Sequence, residues 1–189
     1  MMRLAAPIII ILAGEVVELR PSLACAMQLE RRPGSFKGLL DEIADDSLSA
    51  ASAIIAPHHS HPMLASRIMD AGLETLRPAL MDYVLQCAGI DPDAPKAASE
   101  GPSVSFAEHL QHLYRIGTGW LGWTPDTTLA STPAEIMEAY RGRMDMLKAI
   151  FGSADDDKAP TTPGNLDDKF RAAFGSFGTT VITPDRRAA

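Results

Sequence analysis

Four consecutive isoleucines, Ile8 to Ile11, stand near the start of the chain. Leu12, Ala13-Gly14 and then Glu15-Val16-Val17-Glu18-Leu19 come directly after them. β-branched side chains favour extended backbone. Gly14 can supply the positive φ that a two-residue turn requires. The stretch therefore reads as a β-hairpin. The apolar run from Leu4 to Ala13, behind Arg3, also has the outline of a signal-peptide core. No small-x-small cleavage motif precedes Glu15, and the run is shorter than the roughly 20 apolar residues that span a bilayer. The expectation is a cytoplasmic protein that begins with a hairpin, and no later segment is apolar enough to be transmembrane.

Helical patterns fill most of the chain beyond Leu19. Pro21-Ser22 opens a helix over Leu23 to Arg31, which Pro33-Gly34 breaks. Ser35 reads as the N-cap of a helix carrying Phe36, Leu39, Leu40 and Ile43, and Ser47 as the cap of a short helix through Ile54 and Ile55. After a polar break at Pro57 to Pro62, a helical stretch covers Met63 to Ala88. Gly72 and Pro78 should kink or divide it, and Gly89 should end it. The next residues hold Pro92, Pro95 and Pro102 without apolar periodicity, the composition of a linker. Ser105 and Glu108 then form a capping-box pattern ahead of Phe106, Leu110, Leu113, Ile116 and Trp120. Thr124-Pro125 and Thr132-Pro133-Ala134-Glu135 mark two further helix starts, the second leading into Ile136, Tyr140, Met144, Leu147 and Phe151. The reading is mainly α: an N-terminal β-hairpin plus helices over 1–89, a linker over 90–103, a small helical hairpin module over 104–152, and a flexible acidic, proline-rich tail over 153–189.

Charge and motif content remove several functional classes. The chain has 24 acidic against 17 basic residues, a formal net charge of −7. This balance, with no Lys/Arg run, argues against nucleic-acid binding. Two cysteines, Cys25 and Cys87, cannot build a disulfide scaffold or a four-cysteine zinc site and read as buried thiols. His58, His59 and His61 cluster in a loop without acidic or cysteine partners at metal spacing, and His109 and His112 lack the zinc-hydrolase pattern, so all five read as exposed histidines. There is no nucleophile elbow or phosphate loop. Gly117-Thr118-Gly119 comes after a helix and has no lysine. Neither enzyme chemistry, a cofactor nor a metal site is expected.

The two tryptophans, Trp120 and Trp123, fall in one short turn. Tryptophan there plugs a helix junction or anchors a partner, and one residue can do each job.

Leu121-Gly122-Trp123-Thr124-Pro125, then Thr132-Pro133-Ala134-Glu135-Ile136, resembles the L-G-W-x-P … T-P-x-E pattern of small tail assembly chaperones from siphophage-like particles and gene transfer agents. The likeness covers roughly Phe106 to Phe151. The N-terminal part is similar, more loosely, to the larger tail chaperone encoded beside that protein. The likeness there lies in Gly14, Glu18-Leu19-Arg20-Pro21-Ser22-Leu23, Leu29-Glu30-Arg31-Arg32 and Phe36-Lys37-Gly38-Leu39-Leu40. The resemblance implies a non-catalytic chaperone acting in the cytoplasm of a host cell, on the tape-measure protein and the tail-tube protein of a phage or prophage. It implies no role for nucleic acid or membrane and leaves self-association open. Trp120, Leu121, Trp123, Pro125 and Tyr140 are the candidate partner-binding residues. The competing expectation is a minor connector or tail-completion protein that stays in the virion.

Overall fold

The computed structural model describes residues 7–90 and 105–152. Strands β1 (Ile8–Leu12) and β2 (Glu15–Leu19) form an antiparallel hairpin. Its turn is Ala13-Gly14, with φ of 50° and 83°, the left-handed pair that matches strand twist in a two-residue turn. Alternation sorts the side chains. Ile8, Ile10, Leu12, Val17 and Leu19 are buried, whereas Ile9, Ile11 and Val16 face outward. The register pairs Ile8 with Leu19 and Ile10 with Val17 on the inner face.

Eight α-helices come next among the described residues: α1 (Leu23–Glu30), α2 (Ser35–Ala44), α3 (Leu48–Ile55), α4 (Leu64–Ala71), α5 (Leu73–Cys87), α6 (Phe106–Arg115), α7 (Pro125–Ala130) and α8 (Pro133–Phe151). The caps explain most of their boundaries. Ser22 accepts from the Cys25 N–H at 3.2 Å and Ser47 from the Ala50 N–H at 3.3 Å. Ser105 and Glu108 form a complete capping box. Thr132 and Glu135 form a second, with bonds of 2.8 and 3.1 Å. Each satisfies backbone donors that a helix leaves unpaired at its start.

Two local expectations are corrected. Ser35 is not the N-cap of α2. Gly34 takes that place at φ 78°, and the buried Ser35 hydroxyl makes no hydrogen bond. The tight turn after Pro33 needs a left-handed residue, which glycine adopts most cheaply. Pro78 does not break its helix either. Gly72 divides α4 from α5, but Pro78 lies inside α5 on its exposed side. The carbonyl it leaves unpaired, on exposed Glu74, faces the solvent side, so less is lost than in a buried turn.

Tertiary packing draws the modules differently from the division at 90–103. The hairpin packs on α4 and α5, while α1 packs against α2, α5, α6 and α7. Phe36 of α2 meets Phe106 of α6 edge to face at 5.1 Å. The Leu23 N–H donates to the Ser131 carbonyl at 2.8 Å. Leu110, Leu113, Ile116 and Ile136 thus share one core with Leu39, Ile54 and Leu80. Among the described residues, those up to Tyr140 belong to one compact unit and those from Arg141 to a second. Proline content reports local backbone preference and carries no information about which faces meet afterwards. Residues 91–104, nearly all of the expected linker, and the expected tail lie outside the described residues. No helix among the described residues is long and apolar enough to cross a membrane.

Both tryptophans lie in the segment beyond residue 105, and Trp123 packs against this core, so tryptophan fluorescence can report on the part that precedes it. Leu39→Ala, which empties a fully buried site in α2, is expected to cost about 2–5 kcal/mol. It should lower the unfolding free energy obtained from the tryptophan-detected denaturant transition by that amount. A tryptophan transition unmoved by Leu39→Ala would show two independent modules.

Candidate functional site

The candidate surface begins where α6 changes winding. Leu110, Leu113 and Ile116 continue the buried stripe of α6, but Trp120 leaves it and is 54% exposed. Residues Ile116–Trp120 form a π-helical turn, closed by the Leu121 N–H donating to the Ile116 carbonyl at 2.9 Å. Such a turn adds one residue to the helical repeat and rotates the succeeding residues by about 100°. Trp120 therefore faces solvent, where an uninterrupted helix would have kept it on the stripe.

Glycine makes this turn possible at one position. A Cβ on Gly117 would overlap the Thr128 side chain, at 2.7 Å from its Oγ1 and closer still to Cγ2. Thr128 is fully buried in α7 and its hydroxyl donates to the Thr124 carbonyl at 3.0 Å. The backbone of α6 and the side chain of α7 meet there with no space for a methyl group. The chain then reverses: the Trp123 N–H donates to the Gly117 carbonyl at 3.0 Å. Trp123 is half-buried and packs against the core, as does Leu121.

The sequence-predicted site residues are thus divided. Trp120 and Tyr140 are brought together, with ring centroids 5.8 Å apart and planes at 88°. This edge-to-face geometry is favourable for aromatic pairs. Leu121 and Trp123 turn toward the core, and Pro125 is exposed at the first position of α7, where its missing N–H costs nothing. The Trp120–Tyr140 pair is an aromatic step on the surface, flanked by helix starts that the Thr124 and Thr132 caps hold fixed. Trp120 is the more exposed of the two rings.

Of the five histidines expected to be exposed, His112 is exposed and the other four are half-buried. His58, His59 and His61 are half-buried. The His58 Nε2 and the Tyr83 hydroxyl share a 2.8 Å hydrogen bond. His59 lies 3.7 Å from the Glu15 carboxylate, which also accepts from Arg67 at 2.7 Å. The rings of His59 and His61 stack at 5.9 Å. These contacts dock the loop after α3 onto α5 and the hairpin turn. No group of three or more His, Cys, Asp or Glu among the described residues is placed to hold a metal ion. On α6, His109 is half-buried, and burial, then the nearby His112, lowers its pKa.

Sequence reading missed one cluster. Cys87 is fully buried as expected, but Cys25 is only partly buried and stands with His58 and Tyr83 in a polar group inside the core. These residues are 33 and 25 positions apart in the chain, and no motif marks that spacing.

In comparison with known proteins, no family model, no curated protein and no solved structure matches this chain.

Gly117→Ala is expected to destabilise the unit by about 1–3 kcal/mol through overpacking against Thr128. Gly119→Ala, where an added Cβ meets nothing within 4 Å, should be neutral or stabilising by up to about 1 kcal/mol. Urea denaturation of the two variants, read against the parent chain, checks the contrast.

Proposed function

We propose that this protein is a non-catalytic tail assembly chaperone of a phage, prophage or gene-transfer-agent-like particle, which binds the tape-measure protein and recruits tail-tube subunits. The observation that carries the reading is the exposed Trp120–Tyr140 step beside two helices begun at Thr124-Pro125 and Thr132-Pro133. These lie within the stretch whose sequence resembles the small tail chaperones. An exposed tryptophan next to a second aromatic ring is a costly surface unless a partner covers it, and tryptophan is the residue most enriched at interface hot spots. A tape-measure protein is long, helical and prone to aggregate before the tube encloses it. Weak apolar anchoring on a strongly acidic chain suits a contact that must later be released.

The test is co-expression of the full chain with the tape-measure and tube proteins encoded beside it, with affinity purification of the complex. The full chain is required because the segments up to Tyr140 share one core. Retention of both partners is the expected result, and retention of neither would refute the reading. Stoichiometric presence in finished particles would instead identify a connector or tail-completion component of the virion.

The two tryptophans should separate in such an assay. Trp120→Ala is expected to weaken partner binding by about 30-fold, or about 2 kcal/mol, with little loss of stability. Trp123→Ala should lower stability by about 1–3 kcal/mol, less than the ~3–5 kcal/mol of a fully enclosed tryptophan. Binding by calorimetry and thermal melting of the same two variants measure both effects.

A further inference from the structure

The second compact unit opens on the outer half of α8, from Arg141 to Phe151. Of the 19 residues of α8, only Pro133 and Ile136 are buried, and both lie near its start. Its apolar side chains nevertheless keep a strict order. Met137, Tyr140, Met144, Leu147 and Phe151 stand at steps of three, four, three and four. This is the a and d spacing of a coiled-coil seam, the pattern by which one helix lies along another. Within the second unit the seam is Met144, Leu147 and Phe151. Met144 and Leu147 are half-buried, and Phe151 is 70% exposed. The helix continues to Phe151 and ends at Gly152, whose φ is 83°. The seam is therefore presented on a formed helix.

The charges beside the seam are sorted by sign. In heptad order, Arg141 and Lys148 take e positions and Arg143 takes a g position, the places that border a partner helix. All three are basic and exposed. The acidic residues Glu138 and Asp145 fall at b, farther round the helix from the seam. Lys148 also suits the negative end of α8, but that field fades within the last turn and does not account for Arg141 or Arg143. The chain as a whole carries −7, so a basic border on this helix runs against its average. The border also decides against a second copy of the chain. A parallel pair would set Arg143 against Lys148 of the other copy, and an antiparallel pair would likewise bring basic residues together. We propose that the outer half of α8 is a docking face for an amphipathic helix of another protein, whose apolar row lies over Met144, Leu147 and Phe151 and whose acidic borders pair with Arg143 and Lys148.

The chemistry sets the character of the contact. Three seam residues cover little apolar area, so the interaction is weak and readily reversed. The bordering charges select the partner and its orientation more than they add affinity. A partner with basic borders would place like charges along both sides of the seam, and that repulsion is the source of selectivity. The pairs are exposed, so salt weakens them. The face belongs to α8 alone, and the inference is independent of the chaperone reading.

The experiment uses a pair of fluorescein-labelled synthetic peptides, each a run of heptads with Leu at a and d. One carries Glu at every e and g position, the other Lys. Each is titrated with the full chain at low salt and read by fluorescence anisotropy. The Glu peptide is expected to bind at least about 10-fold more tightly than the Lys peptide. The net charge of −7 favours the Lys peptide elsewhere on the chain, so this order is opposite to the one that bulk charge gives. Arg143→Glu together with Lys148→Glu, both at exposed positions, should reverse it. Leu147→Asp should weaken binding of the Glu peptide by about 10-fold or more in a chain that retains its helical circular dichroism. Equal binding of the two peptides, no binding of the Glu peptide, or an order unchanged by the charge reversal would each overturn the proposal. A concentration-dependent dimer of the parent chain that Leu147→Asp dissolves would also overturn it, by placing a second copy on the seam. Binding of the Glu peptide only to a chain ended at Gly152 would do the same, by giving the seam to the residues beyond.

Discussion

The backbone bond from the Leu23 N–H to the Ser131 carbonyl is the contact on which the arrangement of the whole first unit turns. It joins positions more than a hundred residues apart, at a point where three helix ends converge. Leu23 opens α1, Ser131 is the C-cap of α7, and Thr132 lies immediately before α8. A helix start has unpaired donors and a helix end has unpaired acceptors, so the bond satisfies one of each. It also sets the negative end of α7 against the positive end of α1, the favourable sense for two helix dipoles. Leu23 is fully buried, so water offers its N–H no substitute partner and loss of the bond would leave a buried donor unpaired.

With its start fixed in this way, α1 can serve as the common partner of α2, α5, α6 and α7. Its composition suits that role. Cys25 and Ala26 are small, so neighbouring helices can approach closely, while Leu23 and Leu29 fill the space between them. A helix with one broad apolar stripe would offer only one face. The outer connections are electrostatic and lie at the rim. Arg67 reaches Glu15 at the hairpin turn, and Arg77 reaches Asp46 with two bonds of 2.6 and 3.2 Å. Exposed pairs of this kind orient elements more than they stabilise them.

The features legible in the sequence were those that local chemistry determines. The hairpin comes from β-branched residues around Ala13-Gly14, and the starts of α6 and α8 from capping boxes that complete themselves within four residues. Ser35 misled because two neighbouring residues both suit a helix start, and the left-handed turn selects Gly34. Pro78 misled because its cost depends on which side of α5 faces water. The joining of α6 and α7 to α1 was not legible at all. It depends on surfaces meeting across more than eighty residues, and nothing near Leu113 announces Leu23 or Leu29 as neighbours. The cluster of Cys25, His58 and Tyr83 was hidden for the same reason. Each residue looks ordinary on its own element.

The candidate surface combines both situations. Its residues were legible, but the division of labour between them was not, because it rests on a single change of helical winding. Phe106, Leu110, Leu113, Ile116 and Trp120 keep an unbroken apolar spacing, and by spacing alone Trp120 belongs inside. The π-turn at Ile116–Trp120 overrides that pattern. Its wider ring turns Trp120 outward onto Tyr140, and the reversal at Gly122 returns Trp123 to the core. Packing alone would favour the opposite result, since burying tryptophan is among the most stabilising things a small core can do. Gly117 removes the steric obstacle to the turn, and Thr128 occupies the space that a side chain there would have filled. A local departure that gives up buried aromatic area, and depends on one glycine to do so, is better explained by a use for Trp120 outside the core than by the core's own needs.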